Sequence, residues 1–292
     1  MRYLLSQQPQ FLGLILGLSL TLGLSSSAAA GMNDLQVDQL SNVERSKRQG
    51  SFDWVVRELA LSIAAPPTHS VSSLGMFEFE LSTDHRISFV HDENGSGSSP
   101  WSELSEDGDA SVVQYIPRVV IRKGLPYSFE VGGNVGWLGI SRQFVVGGYG
   151  RWAMLDGWKK VPDAAIQISY DGYVGNNQLD LGVFQLALSV GYTFDTRSAL
   201  SASGSRFSPF VGYGYLMTHA QPLTEVPNIS SVTAWADEAA PGVDPRDFRA
   251  HRFFGGMQVR NGQVQFRIAA DVSGPRGGPL VAGVNLSLGA RF

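Results

Sequence analysis

The feature that most constrains this sequence is a period-two alternation of apolar with polar or small residues, which runs from residue 74 to residue 292. The final stretch, LVAGVNLSLGARF (280–292), shows the alternation most regularly. A period of two places successive side chains on opposite faces of a β-strand. Ten such stretches follow one another, each with an apolar face and a second face of glycine, serine, glutamine, arginine or carboxylate residues.

These stretches are unlike the strands of a soluble β-sandwich, which average about five or six residues and expose a polar face to water. A strand that crosses a membrane needs roughly 9–11 residues and directs its apolar face towards lipid. In lipid the sheet must close, because an open edge would leave backbone groups unpaired. The sequence therefore predicts an all-β fold, a closed antiparallel transmembrane β-barrel of about ten strands over residues 74–292.

The amino-terminal residues have the composition of a targeting segment. Arg2 precedes a short apolar run (11–24), and small residues, SSSAAA (25–30), follow it. This order is typical of a secretory signal peptide, and the run is shorter than the ~20 residues of a spanning helix. We therefore expect residues 1–30 to be a cleaved signal peptide.

Residues 31–73 are expected to form a periplasmic lead with one short helix. Apolar residues recur at helical spacing over 51–64, Ser51 is a candidate N-cap, and Pro66-Pro67 ends the pattern. This spacing predicts an amphipathic helix in the periplasm, packed on whatever follows it. A plug or a partner-docking helix is the alternative.

The connections between the predicted strands differ strongly in length. If residue 292 lies in the periplasm, the two longest and most acidic connections, 91–110 and 220–247, both face the cell exterior. Long extracellular loops and short periplasmic turns are typical of bacterial outer-membrane barrels. The connection SALSASGS (198–205) is longer than expected for a periplasmic turn.

Composition excludes several classes of function. The chain has no cysteine, which excludes disulfides, thiolate catalysis and cysteine metal ligands. Its formal charge of -4 is mildly acidic, and no clustered basic face indicates nucleic-acid binding.

Two stretches resemble known barrel proteins. The alternating last strand with its terminal aromatic residue, Phe292, resembles the carboxy-terminal recognition strand of bacterial outer-membrane β-barrel proteins. RKGLPYSFEVGG (122–133) is similar to a motif that recurs in barrel proteins of this kind that have no assigned function. The resemblance implies an outer-membrane location, contact with outer-membrane lipid, and recognition by the barrel-assembly machinery through Phe292.

The predicted inner face of the barrel carries many charged residues. A ten-stranded barrel has a narrow interior that side chains largely fill, and buried charges there must be paired. We therefore expect a structural ion-pair network, with a narrow pore for small solutes or a polar pocket as the alternative. The predicted lumen-lining residues are Glu78, Glu80, Arg118, Arg122, Glu130, Arg151, Arg267, Asp271 and Arg291.

The histidines suggest a third class of function. His91 and His219 lie at the bases of the two longest connections, where a rim hydrolase or a metal site could use them. Scattered loop residues are the simpler interpretation. We expect that the protein is not an enzyme and binds no cofactor or metal. We predict a barrel with a structural or surface-binding role, and the sequence does not identify an extracellular ligand.

Overall fold

The computed structural model describes residues 35–91, 99–105, 113–139, 141, 143–157, 161–196, 205–223, 243–275 and 278–292. The signal peptide expected for residues 1–30 lies outside the described residues. Much of the two long connections, 91–110 and 220–247, lies outside them too, so their predicted acidic surfaces stay predictions.

Ten long strands and one short strand form a single antiparallel sheet that closes on itself. Each long strand pairs with the next, β6 pairs with β8, and β1 pairs with β11 to complete the barrel. The predicted all-β class, a closed antiparallel barrel of about ten strands, is confirmed. The strands are β1 (Phe79–Phe89), β2 (Val113–Gly124), β3 (Phe129–Trp137), β4 (Phe144–Leu155), β5 (Asp163–Val174), β6 (Leu179–Gly191), β7 (Phe194–Thr196), β8 (Ser205–Pro222), β9 (Arg246–Asn261), β10 (Val264–Pro275) and β11 (Val281–Arg291).

The seam between the first and last strands runs along their whole length. Its register extends from Glu80 opposite Arg291 to Phe89 opposite Ala282. Phe292 continues the ladder, because its N–H donates to the Phe79 carbonyl at 2.8 Å and its carbonyl accepts from the Phe79 N–H at 3.0 Å. Its recognition by an assembly machinery stays a prediction.

The two ends of the barrel carry different connections. The turns 125–128, 156–162 and 262–263 lie at the same end as residue 292, and we call this the short-turn end. The connections 90–112 and 223–245 lie at the opposite end, which we call the long-connection end.

One connection at the short-turn end is extended by a small hairpin. The strand β7 pairs with the first residues of β8, with Phe194 opposite Phe207 and Thr196 opposite Ser205. The predicted turn at 198–205 lies outside the described residues except for Ser205.

The principal helix, α1, spans Arg45–Ile63 and lies inside the barrel at the long-connection end. A 3-10 helix (Val37–Asn42) precedes it, and a short helix, α2 (Pro100–Leu104), packs beside it. The helix begins before Ser51, the predicted cap, whose buried hydroxyl instead contacts Glu103. It ends where Pro66 and Pro67, shortly beyond Ile63, cannot continue the hydrogen-bond ladder.

The structure places this helix inside the barrel rather than in a lead outside it, and its periplasmic location stays a prediction. Residue 292 and the short turns lie at one end of the barrel, whereas α1 lies in the lumen at the other. The helical spacing indicated burial on one face, but all of the last six residues of α1, 58–63, are buried. The run contains two polar residues, Glu58 and Ser62, so the sequence did not predict that it is buried on all sides. The residues that surround them come from distant parts of the chain.

Candidate functional site: the filled lumen

Eight of the nine predicted lumen-lining residues are buried inside the barrel. The exception is Glu78, which precedes β1 at the short-turn end and keeps a 43% exposed side chain. Its carboxylate lies 3.2 Å from the Arg291 guanidinium. This pair therefore lies at the mouth of the lumen rather than within it.

Five of the buried residues form one ion-pair network, which we call the lower network: Glu80, Arg122, Glu130, Arg151 and Arg267. Glu80 contacts Arg122 directly, and its Oε1 lies 3.1 Å from Arg267 Nη1. Glu130 Oε2 lies 3.0 Å from Arg151 Nη1 and 3.7 Å from Arg122 Nη1. Each carboxylate thus lies between two guanidinium groups, as buried charges require.

An extended part of the chain, residues 64–75, passes through the middle of this network, and we call it the lumen segment. Arg151 Nη2 donates to the carbonyls of Ser70 and Val71 at 2.5 and 2.6 Å. The Ser70 N–H donates to Gln258 Oε1 at 3.2 Å. An extended chain cannot pair its own backbone, so the polar wall supplies these partners.

Where α1 ends, two arginines bind its last carbonyl groups. Arg252 on β9 donates to the carbonyls of Leu61 at 2.7 Å and Ala64 at 3.0 Å. Arg86 on β1 donates to the Leu61 carbonyl at 3.3 Å. The last carbonyls of a helix have no intrahelical partners and carry its negative dipole end, so cations are stabilising there.

A third arginine contacts the same helix end from β2. Arg118 donates to the carbonyl of Ile63, and its Nη1 lies 3.8 Å from Asp171 Oδ1. Asp171 Oδ2 also accepts from the N–H of Ala65, the second residue beyond the helix, at 2.9 Å. We call Arg86, Arg118 and Arg252 together the arginine clamp.

Asp271 of β10 pairs with two of the three clamp arginines, Arg86 and Arg252. Asp271 accepts two hydrogen bonds from Arg86, at 2.7 and 3.1 Å, and lies 3.3 Å from Arg252 Nε. All three side chains are buried. The carboxylate therefore fixes two guanidinium groups in the orientation that reaches the helix end.

The sequence prediction missed three residues of this arrangement, namely Arg86, Arg252 and Asp171. Each lies on the inner face of its strand, as the period-two pattern already indicated. The alternate position of each residue along its strand was therefore enough to predict that it faces the lumen. Their shared target could not be predicted, because it is the end of a helix that the sequence analysis expected outside the barrel, with a plug only as the alternative.

Above the clamp, the lumen is apolar. The five helix residues whose spacing predicted α1 are all buried: Phe52, Val55, Val56, Leu59 and Ile63. They join one core cluster with inward-facing side chains of the wall. These wall residues include Ile116, Leu138, Val145, Tyr173, Leu181, Val183, Leu216 and Val281.

At the rim, a buried carboxylate of α1 connects the helix to the first long connection. Glu58 Oε1 accepts from the backbone N–H of His91 at 3.0 Å and lies 2.7 Å from its Nδ1. Glu58 Oε2 accepts from Trp101 Nε1 at 2.6 Å. Burial raises the pKa of the Glu58 carboxyl, and the hydrogen bonds from Trp101 and His91 oppose that change.

Little space remains around the lumen segment. A cavity of about 20 Å³ lies between that segment and the wall, beside Pro66, His69, Arg118 and Tyr149. A volume of this size has room for about one water molecule. Side chains and the chain's own amino-terminal part therefore fill the interior at this level.

The two rim histidines have separate partners. His91 follows β1 and pairs with Glu58, whereas His219 lies on β8 and pairs with Asp247 at 2.6 Å. Within the described ranges, no group of three or more His, Cys, Asp or Glu side chains could hold a metal ion. In the same part of the chain, no helix is long and apolar enough to cross a membrane.

Comparisons with known proteins give weak similarities only. No protein-family model and no curated protein matches the chain. The attachment invasion locus protein Ail of Yersinia pestis is 11% identical, covers 75% of this chain and 100% of its own, and has a TM-score of 0.27. Neisserial surface protein A is 11% identical, with 73% and 96% coverage and a TM-score of 0.31. The β-barrel domain of Pseudomonas aeruginosa OprF is 12% identical, with 74% and 99% coverage and a TM-score of 0.28. TM-scores this low carry no information about function.

Proposed function

We propose that this chain is an outer-membrane β-barrel whose lumen is permanently closed, and that it serves the cell envelope in a structural or surface-binding role. The outer wall of the barrel supports a membrane location. Apolar side chains point outward along the strands and are half exposed, for example Val135 at 54%, Ile168 at 50% and Val211 at 64%. In water such a surface would drive aggregation, whereas lipid is its natural solvent.

Aromatic residues on the outer wall support the same placement. Phe129 and Trp152 stack at the short-turn end with ring centroids 5.5 Å apart, while Trp137 and Phe144 pair near the opposite end. Aromatic girdles at both interfaces are typical of outer-membrane barrels. The long connections at one end only favour an orientation with that end outside the cell.

The main support for a closed lumen is the apolar core between α1 and the barrel wall. A water-filled pore requires a polar wall, but here residues such as Leu181, Val183 and Leu216 face the helix. Full burial of one such side chain contributes about 1.5–3 kcal/mol. Withdrawing the five buried apolar residues of α1 into water would therefore cost on the order of 10 kcal/mol.

The pore alternative can be tested by conductance. We expect the purified, heat-modifiable protein to give no discrete openings in planar lipid bilayers, because the helix and the lumen segment fill the interior. Reproducible discrete conductance by the wild-type protein would refute the closed state. It would leave the outer-membrane location intact.

The membrane location is tested by a substitution on the outer face of the last strand. Leu286 is 37% exposed on that face, whereas its neighbour Asn285 is buried in the lumen. Leu286→Arg should cost about 2–4 kcal/mol in unfolding free energy measured in lipid bilayers. Asn285→Ser serves as the inward-facing control and should have a mild effect. Recovery of the wild-type protein as a soluble periplasmic species would contradict the proposal.

We also propose that the protein is not an enzyme. The separation of His91 and His219 onto different partners favours loop anchoring over shared acid-base chemistry. A hydrolytic activity of the wild-type protein that is lost in a His91→Ala, His219→Ala double variant would support the rim-hydrolase alternative instead.

A further inference from the structure

We infer that the chain passes through its own barrel, so that residues 35–44 are displayed on the outer face of the cell beside the long connections. This inference rests on the proposed outer-membrane location and orientation. It changes the expected topology, in which the lead and the helix lie in the periplasm. It also gives the barrel a further role, as a support that presents its amino-terminal part at the cell surface.

The first line of evidence is the position of the residues before α1. The N–H of Gln36 donates to the Leu104 carbonyl of α2 at 2.9 Å, and Leu35 forms an isolated β-bridge with Ser105. The Asn176 side-chain amide, in the turn between β5 and β6, donates to the Leu35 carbonyl at 2.9 Å. All of these partners lie at the long-connection end.

These residues are a packed part of the fold rather than a loose tail. Leu35, Val37 and Leu40 are buried, and they belong to the same core cluster as Trp101 and Leu104 of α2. Their position at the long-connection end is therefore fixed by apolar burial as well as by hydrogen bonds.

The second line of evidence is the path of the lumen segment. The N–H of Ala65 contacts Asp171, in the long-connection half of β5. Further along, the N–H of Ser73 donates to Asp156 Oδ2 at 3.1 Å, and Asp156 follows the last residue of β4 at the short-turn end. The segment thus descends the lumen from one end of the barrel towards the other.

The third line of evidence is the point at which the segment leaves the lumen. The carbonyls of Leu74 and Gly75 lie so close to Gly124 that a Cβ at this position would collide with them. The N–H of Gly124 donates to the Glu78 carbonyl at 3.1 Å, and β1 begins at Phe79. The chain therefore enters the barrel wall at the short-turn end, after crossing the lumen.

Contacts at the arginine clamp and at the lower network keep the chain in this position inside the lumen. A helix with its side chains is about 10–12 Å wide, and the arginine clamp binds the end of α1 just above the narrow lower network. The amino-terminal part cannot pass back to the short-turn side without breaking these contacts.

Because the chain has no cysteine, single-cysteine labelling can test the topology directly. Three exposed positions suffice. Ser41→Cys reports on the residues before α1, Asp247→Cys on the long-connection end, and Asp195→Cys on the short-turn end. A membrane-impermeant maleimide is applied to intact cells and to cells with a permeabilised outer membrane, and each variant is first shown to be heat-modifiable.

We expect Ser41→Cys and Asp247→Cys to label fully on intact cells, and Asp195→Cys to label only after permeabilisation. If Ser41→Cys labels only after permeabilisation while Asp247→Cys labels on intact cells, the threading is overturned and the proposed orientation survives. If Asp247→Cys also fails on intact cells, the proposed orientation is overturned, and surface display with it.

Discussion

The upper and lower halves of the lumen are built on the same ten strands, yet their walls differ in chemistry. Around α1 the wall is apolar, with residues such as Ile116, Val145 and Leu216. Around the lumen segment it carries charges and amides, such as Glu130, Gln258 and the other members of the lower network. The strand backbone is the same along its length, so we relate the difference in wall residues to what each half encloses.

The backbone of the enclosed chain explains the contrast. A helix pairs its own N–H and carbonyl groups, so its wall needs only to exclude water and fill space. An extended segment leaves these groups unpaired, and burying them without partners is costly. The wall therefore changes from apolar to polar at the point where α1 ends, and the arginine clamp marks that boundary.

The largest effect is expected at the boundary itself. Asp271→Asn removes the carboxylate between Arg86 and Arg252 and leaves two buried guanidinium groups without it. Breaking a buried ion pair costs about 3–5 kcal/mol. Urea unfolding in detergent micelles should show a loss of this size.

The matched control is Asp195→Asn, at an exposed pair with Arg206. Exposed pairs contribute about 0–1 kcal/mol, so this variant should unfold almost like the wild type. Equal effects of the two aspartate substitutions would mean that the boundary is not held by buried charge.

In the upper half of the lumen, we expect the stability effect of a substitution to depend mainly on apolar packing. Leu59 of α1 is fully buried in the apolar core, and Leu59→Ala should destabilise the protein by about 2–5 kcal/mol through lost contacts and a cavity. Leu59→Met keeps the volume and should cost below about 1.5 kcal/mol. If both variants unfold like the wild type, α1 is not part of the folded core.

A pair of glutamines tests the contrast between the halves directly. Gln258→Leu in the lower half leaves the Ser70 N–H without its acceptor and should cost about 1–3 kcal/mol. Gln114 in the upper half is fully buried, and neither of its amide atoms has a hydrogen-bond partner among the described residues. Gln114→Leu should therefore be neutral or stabilising in the same unfolding assay. A larger loss of stability in Gln114→Leu than in Gln258→Leu would contradict the contrast between an apolar upper half and a polar lower half.

The wall could largely be predicted from the sequence, whereas the plug was only an alternative interpretation of the helical spacing. Period-two alternation depends only on neighbouring residues, so the inner positions of Glu80, Arg122 and Arg267 followed from parity alone. The insertion of α1 depends on contacts with all parts of the wall. Ser51 was expected to be an N-cap, and the burial of Ser51 and Glu58 could not be predicted, because their partners Glu103, Trp101 and His91 lie far along the chain.

The smallest expected effect concerns pH and the attachment of the upper half at its rim. Burial raises the pKa of Glu58 above its ordinary value of 4.5, so the folded state holds this proton more tightly than the unfolded chain. Stability from this group is complete below about pH 4.5, and it falls as the pH rises through the raised pKa. Glu58→Gln cannot ionise and should flatten that part of the unfolding profile. Parallel profiles from pH 4.5 upward would instead mean that the hydrogen bonds from Trp101 and His91 outweigh burial at this carboxyl.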